Sequence, residues 1–382
     1  MSLIASQRHL FDIPEDIAYF NSAYNSPQLN ESRDRLILGV RGKGHPWQRT
    51  VASFFEDAET IRRLSASLFG GDAAGYAMVP AASYGLSTAA RAIEPHLRAG
   101  EAILVVAEEF PSNVLPWQRT AAETGATVQT VPTPQQGGWT QAILDRMVKG
   151  IRVVAVSPCH WTNGAFIDLS AIGRACREIG AILVVDATQS LGAMPLSMDE
   201  VRPDFLVAAG YKWLLGPYSF GILYVDEKWR NARPLEECWL ARDNAEDFTA
   251  LVNYSSTYMA GARRFDMGEK CNPALLPGAI AALEQIGTWG VGNIAQSLAA
   301  INARIAGHLV ELGFILPEES ERCPHMFGAQ LPPGYSGNLV GELKQRNIFI
   351  SQRGSALRFA PHLHITEHDE QRLYQALAEI IG

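Results

Sequence analysis

The order of apolar runs along this 382-residue chain predicts an α/β fold: a large domain with a mostly parallel sheet flanked by helices, plus a smaller α+β domain. Three observations carry the expectation. Between about residues 75 and 225, β-rich apolar runs alternate with helix-like segments. Several of those runs are continuously apolar, as strands covered on both faces are. After about residue 260 the alternation gives way to a long helical stretch followed by short strands.

In order, the apolar runs are YAMVP, AILVVAEEF, TVQTVP, IRVVAVSPCH, AILVVDATQS, DFLVAAG and GILYV. Amphipathic stretches separate them, among them SNVLPWQRTAAETG and DLSAIGRACREIG, the second with an Asp-Leu-Ser start and a glycine stop. A helical region is expected over about 273–312, short strands around FILP, MFGAQL, IFISQ and ALRFAP, and a closing helix over about 367–380. The large domain is assigned to residues 20–260, and the small one to residues 1–19 and 261–382.

Composition narrows the partners. With 47% hydrophobic and 19% charged residues the chain reads as globular, and no apolar run reaches the ~18–20 residues of a membrane helix. The net charge of −8, with no lysine or arginine stripe, gives nucleic acid no electrostatic footing. Five scattered cysteines, Cys159, Cys176, Cys238, Cys271 and Cys323, form no C-x-x-C pair, so neither a disulfide framework nor a metal site is indicated. A cytoplasmic protein acting on a small molecule is the expectation, and no secretory signal is read at the N-terminus.

In open α/β sheets ligands bind beyond the carboxyl ends of the strands. Those ends carry Ser83-Tyr84-Gly85, Glu109-Phe110, His160-Trp161-Thr162-Asn163, Asp186-Ala187-Thr188-Gln189 and Gly210-Tyr211-Lys212. Taken singly, Asp186 reads equally as a helix cap and Lys212 as a snorkelling side chain. Together they read differently. An amine in an apolar pocket loses its proton readily and becomes a nucleophile able to condense with an aldehyde. Pyridoxal 5'-phosphate needs such a lysine, and an acid to hold its ring nitrogen protonated. Asp186 is the candidate acid. The helix start at Ser83 offers free amides to a phosphate.

With these residues assembled, the chain resembles the fold-type I pyridoxal-phosphate enzymes of the aminotransferase class V group, which includes cysteine desulfurases, isopenicillin N epimerase-like proteins and kynureninases. The most specific segment is ILVVDATQSLGAMPLSMDEVRPDFLVAAGYKWLLGPYSFGILYV, supported by YFNSAYNSP, VPAASYGLSTAA, EEFPSNVLPWQ, SPCHWTNGAFIDL, RRFDMGE and LRFAPHLHITEHDE. The resemblance implies that Lys212 carries an internal aldimine and shuttles protons, and that Asp186 pairs with the pyridine nitrogen. It places Gln189 near the phenolic oxygen and Phe110 on the ring. Asn163 would reach the phenolic oxygen or the substrate carboxylate. Ser83, the Tyr84 amide and Tyr211 would hold the phosphate, and Arg358 the substrate carboxylate. His160, His45 and Trp47 are lesser pocket candidates.

Three departures qualify the likeness. No cysteine stands in the segment 350–356, where desulfurases carry their nucleophile; Ala209 replaces a phosphate-binding serine; and Gly268-Glu269 replaces a Gly-Thr that many members lend to the neighbouring subunit. The resemblance implies a homodimer acting on an amino acid, with transamination as the leading activity. Kynureninase-like hydrolysis, C–S cleavage and epimerisation are the alternatives, and a catalytically silent binding relative stands as a different class.

Overall fold

The computed structural model of the protein describes residues 3–135 and 138–381. The first two residues and the last of the segments assigned to the small domain lie outside that range. From the N-terminus come β1 (Ala18–Tyr19), α1 (Asn30–Lys43), α2 (Glu56–Phe69), β2 (Tyr76–Val79), α3 (Ala82–Ile93) and β3 (Ala102–Val106). Then follow α4 (Leu115–Thr124), β4 (Thr127–Val131), α5 (Gly138–Leu144), β5 (Ile151–Val156), α6 (Leu169–Ile179) and β6 (Ile182–Asp186). The central part closes with α7 (Met198–Val201), β7 (Phe205–Ala209) and β8 (Gly221–Val225).

Each apolar run read from the sequence is one strand of a seven-stranded sheet of order β2-β8-β7-β6-β5-β3-β4. The pairings among β4, β3, β5, β6 and β7 are parallel, while β8 runs antiparallel to both β7 and β2. Side chains alternate between two cores because successive Cβ atoms leave a strand on opposite faces. Ile103, Val105, Val184 and Val207 meet Leu86 and Ile93 of α3 and Trp117 of α4. Leu104, Val185 and Leu206 join the other core, with Ile172 of α6. Helix α6 begins and ends as its sequence predicts: the Asp168 carboxylate accepts from the amides of Ser170 and Ala171, and Gly180 turns left-handed at φ 72°.

The remaining elements are α8 (Leu276–Trp289), α9 (Val291–Glu311), β9 (Phe327–Ala329), α10 (Leu339–Gln345), β10 (Ile348–Phe349), β11 (Ser351–Arg353), β12 (Ala356–Phe359) and α11 (Glu367–Ile381). The helical stretch expected over 273–312 is two helices, broken at Gly290, whose φ of +77° a residue with a Cβ rarely adopts. The break redirects the chain. Leu276, Leu283 and Ile286 of α8 join the sheet core, whereas Ile305 and Leu309 of α9 pack in a second core with β9, β12 and α11. The N-terminal segment reaches that second layer through β1, which pairs in parallel with β10. FILP is not a strand; Ile315 makes one isolated bridge to Gln330.

A buried charge cluster fastens the sheet edge. Asp266 accepts from Arg62 Nη2 at 2.5 Å, Lys270 Nζ at 3.0 Å and the Met78 amide of β2 at 3.0 Å. Arg62 also donates to the Tyr76 carbonyl and to Glu59. Removing the shared carboxylate strands two buried cations. Asp266→Ala is expected to lower unfolding free energy by about 3–5 kcal/mol, read as a shifted urea midpoint; a shift within experimental error would contradict the shared-carboxylate role.

Candidate active site

A cleft of about 230 Å³ opens where β2, β3, β5, β6 and β7 end. Pro80 to Ser83, Glu109, Phe110, Ser157, Cys159, Trp161, Asp186, Thr188, Gln189, Tyr211 and Lys212 are among the residues lining it. Lys212 gets there because β7 is apolar on both faces through Ala209 and the chain must then turn back into β8. The return is tight: Gly210 N donates to Phe220 O at 2.7 Å, Gly216 N to Gly210 O at 2.9 Å and Leu215 N to Lys212 O at 3.0 Å. Leu215 and Ser219 both take left-handed backbone, at φ 53° and 63°. For a buried leucine that costs about 1–2 kcal/mol, a strain of the kind that concentrates at functional sites.

Lys212 is only 7% exposed, and among the described residues its amine makes no hydrogen bond or ion pair. Its neighbours are the rings of Phe110 and Tyr211, with centroids 5.7 and 5.6 Å from Nζ. Burial brings the amine down to about 8; the Asp186 carboxylate opposes that shift, and Arg358 and Arg353 reinforce it. Asp186 is buried at the end of β6, and burial pushes its carboxyl up against the pull of Thr188 and Lys212. The Thr188 amide donates to it at 3.0 Å.

The start of α3 lines the same cleft. Ala81 caps it with extended backbone and no side-chain cap, and the first-turn amides of Ala82 and Ser83 have no helical carbonyl to donate to. The Tyr84 amide, expected to hold phosphate, is committed to Ala81 O at 3.1 Å. The Tyr84 hydroxyl points elsewhere, to Glu236. Gly85 allows the close approach of this helix start to the sheet: a Cβ there would lie 2.4 Å from Val207 Cγ2.

The other sequence-selected residues divide. Phe110 stands on the cleft wall, edge-on to Trp161 at 5.4 Å. Gln189 lines the cleft with its amide already oriented, donating to Ala23 O at 3.1 Å and accepting from Trp213 Nε1 at 3.0 Å. Tyr211 lines it too, its hydroxyl bonded to Tyr218 and pushed up to about 12 by burial first. Arg358, 1% exposed, sits behind the cleft on β12, donating to Ser351 Oγ at 3.1 Å and Trp161 O at 2.7 Å; it has no carboxylate partner among the described residues.

Asn163 is not in the cleft. The turn in which His160 N donates to Ala165 O and Gly164 N to His160 O carries Asn163 over to Gly328 of β9. There it lines a separate groove with Trp139 and Glu321, and its Oδ1 accepts from Ala165 N. Trp161 faces the cleft instead. His160 is buried, stacked on Trp139 at 4.9 Å and bonded to Thr162 and Ala107. His45 and Trp47 pair with each other on the surface, away from the cleft.

Sequence reasoning found Glu109, Trp161 and Thr188 at strand ends but gave them no role, and it gave none to Ser157 and Cys159, one and three residues past the end of β5, where the same strand-end rule applies. The Cys159 thiol is raised by burial but drawn down overall to about 6 by Cys323, His325 and Arg358.

Residues 38–368 match the aminotransferase class-V family. The chain belongs to that family. It is 25% identical over 97% of its length to a probable cysteine desulfurase of Pyrococcus abyssi, covering 93% of that protein. It is 24% identical to the isopenicillin N epimerase of Amycolatopsis lactamdurans, covering 98% of each chain. The cystine C–S lyase C-DES, solved with its product cysteine persulfide, superposes with a TM-score of 0.84 at 19% identity, over 96% of this chain and 98% of that one.

Class V members are pyridoxal-phosphate enzymes, and the donor set fits that cofactor. A buried amine without a partner, a buried carboxylate and an uncapped helix start face one cleft, and an aromatic ring walls it. If Asp186 supports the charged form of Lys212 across the cleft, Asp186→Asn should bring the Lys212 amine below about 8 in cofactor-free protein. An NMR titration of the lysine reads this; an unchanged or raised midpoint would show that the two groups do not interact.

Proposed function

We propose that this class V pyridoxal-phosphate enzyme acts on a small α-amino acid and transfers its amino group. The observation that carries the reading is the company Lys212 keeps: an amine at about 8, a buried carboxylate beside it, and a buried guanidinium lacking a carboxylate partner. When bound, the cofactor supplies an electron sink for the electrons released at the α-carbon. The chain's own residues do the rest. Ser83 and the Ala82 and Ser83 amides hold the phosphate, Asp186 holds a proton at the ring nitrogen, and Phe110 covers the ring. Arg358 grips the substrate carboxylate fork to fork, and Lys212 takes a proton from the α-carbon and returns it elsewhere.

This chemistry asks for one mobile proton and no further nucleophile. A second reading, C–S cleavage, draws support from the likeness to a cystine C–S lyase over nearly the whole chain. The hairpin β11–β12 bears no thiol, which favours either reading over desulfuration. In this reading the working unit is a homodimer, and the five free cysteines suit a reducing compartment. No helix among the described residues is long and apolar enough to cross a membrane.

A panel of amino acids with and without a keto acid acceptor tests the reading. Keto acid formed only when the acceptor is present supports transamination. Pyruvate formed without an acceptor, together with cysteine persulfide from cystine or sulfide from cysteine, would replace it with C–S cleavage, and inverted stereochemistry would replace it with epimerisation. Arg358→Lys should cost about a hundredfold in kcat/KM, because an ammonium cannot reproduce the two-pronged contact. Full activity in that variant would remove Arg358 from the substrate site.

A further inference from the structure

Glu109 has no part in the roles assigned so far. It follows Glu108, whose left-handed backbone at φ 56° separates the two adjacent carboxylates. Glu108 is exposed; Glu109 is 7% exposed and lines the cleft. Its Oε1 accepts from the Phe110 amide at 2.7 Å. Its Oε2 accepts from Asn113 Nδ2 at 3.3 Å and Ser157 Oγ at 3.4 Å. Asn113 is itself oriented by Trp117, whose indole N–H donates to Asn113 Oδ1 at 3.3 Å.

This is a built site. Three donors from three places converge on one carboxyl, all are neutral, and no cation pairs with it among the described residues. A second buried carboxyl lines the same cleft: Asp186, at the end of β6, is the charged group that acts on Glu109. The donors from β5 and from the turn before α4, Ser157 and Asn113, bring no charge. Lys212, Tyr211, Tyr218 and Cys159 are the other titratable groups lining the same cleft.

We propose that Glu109 is a positioning residue of the cofactor site, fixing the Phe110 ring through the Phe110 amide and placing a second titratable carboxyl in the same cleft as Asp186. Two carboxyls lining one cleft oppose each other's ionisation, so a charge on Asp186 favours the protonated form of Glu109. Burial, and then Asp186, put the Glu109 midpoint at about 7. Below neutral pH Glu109 is uncharged; above it the cleft floor gains a negative charge. The added charge favours protonated forms of the groups around it.

The proposal rests on the pyridoxal-phosphate reading and not on which bond the enzyme breaks. Its test is spectroscopic: the visible band of cofactor-loaded protein is followed against pH, and the cofactor Kd is measured by titrating cofactor-free protein with pyridoxal phosphate. Wild type is expected to show a step near neutrality that Glu109→Gln abolishes while leaving Tm unchanged. Glu109→Ala leaves the Phe110 amide and Asn113 without their acceptor and should weaken cofactor binding about tenfold. A Glu109→Gln protein with the wild-type step would overturn the proposal, even if Glu109→Ala fails to fold. Wild type that takes up no pyridoxal phosphate would instead bring down the cofactor reading on which it stands.

Discussion

Keeping a lysine amine inside a protein without a hydrogen-bond partner is the constraint on which the rest of this structure depends. A buried ammonium needs a counter-charge, and a buried neutral amine needs a reason to be there. The cleft holds Lys212 between the two: burial and the cations Arg353 and Arg358 press toward the neutral form, and Asp186 presses back. An amine balanced near 8 can act as a base and carry a proton away, which an ordinary surface lysine does poorly.

That balance is structural in origin. The strand before Lys212 is sealed on both faces, Phe205 and Val207 in one core and Leu206 and Ala208 in the other, so the first residues free to face a cleft are those past Ala209. The loop back to β8 keeps the lysine in place with two left-handed residues that are not glycine. On the neighbouring strand ends the same logic presents Asp186, Ser157 and Glu109. The sheet aligns them, and the helix start of α3, drawn close by Gly85, lines the same cleft. Arg358 lies behind the cleft on β12 of the second layer, bonded to the Trp161 carbonyl of the cleft wall.

Much of this was legible in order along the chain. Six of the seven strands read as apolar runs because burial on both faces leaves no room for polar alternation, β4 at the sheet edge being the exposed exception, and Asp168 and Gly180 announced the ends of α6 by their own backbone chemistry. Asp186, Gln189, Tyr211, Lys212, Ser83 and Phe110 were reachable since each lies at or just past a strand end. Where the reading slipped, the cause was a turn. Asn163 and Trp161 are two residues apart, and the hydrogen bonds of the 160–165 turn decide which of them faces the cleft. The helical pattern on both sides of Gly290 likewise concealed a change of direction.

The sequence by itself determined the strands, their order of appearance and the residue types at their ends, because periodicity and local backbone preference act over a few neighbours. Only the tertiary structure decided which amides are still free at the start of α3, which side of a turn enters the cleft, and that Glu109 and Asp186 line one cleft from strands far apart in sequence. These depend on distances between segments and on how deeply each group is withdrawn from water, and neither quantity is written in local order.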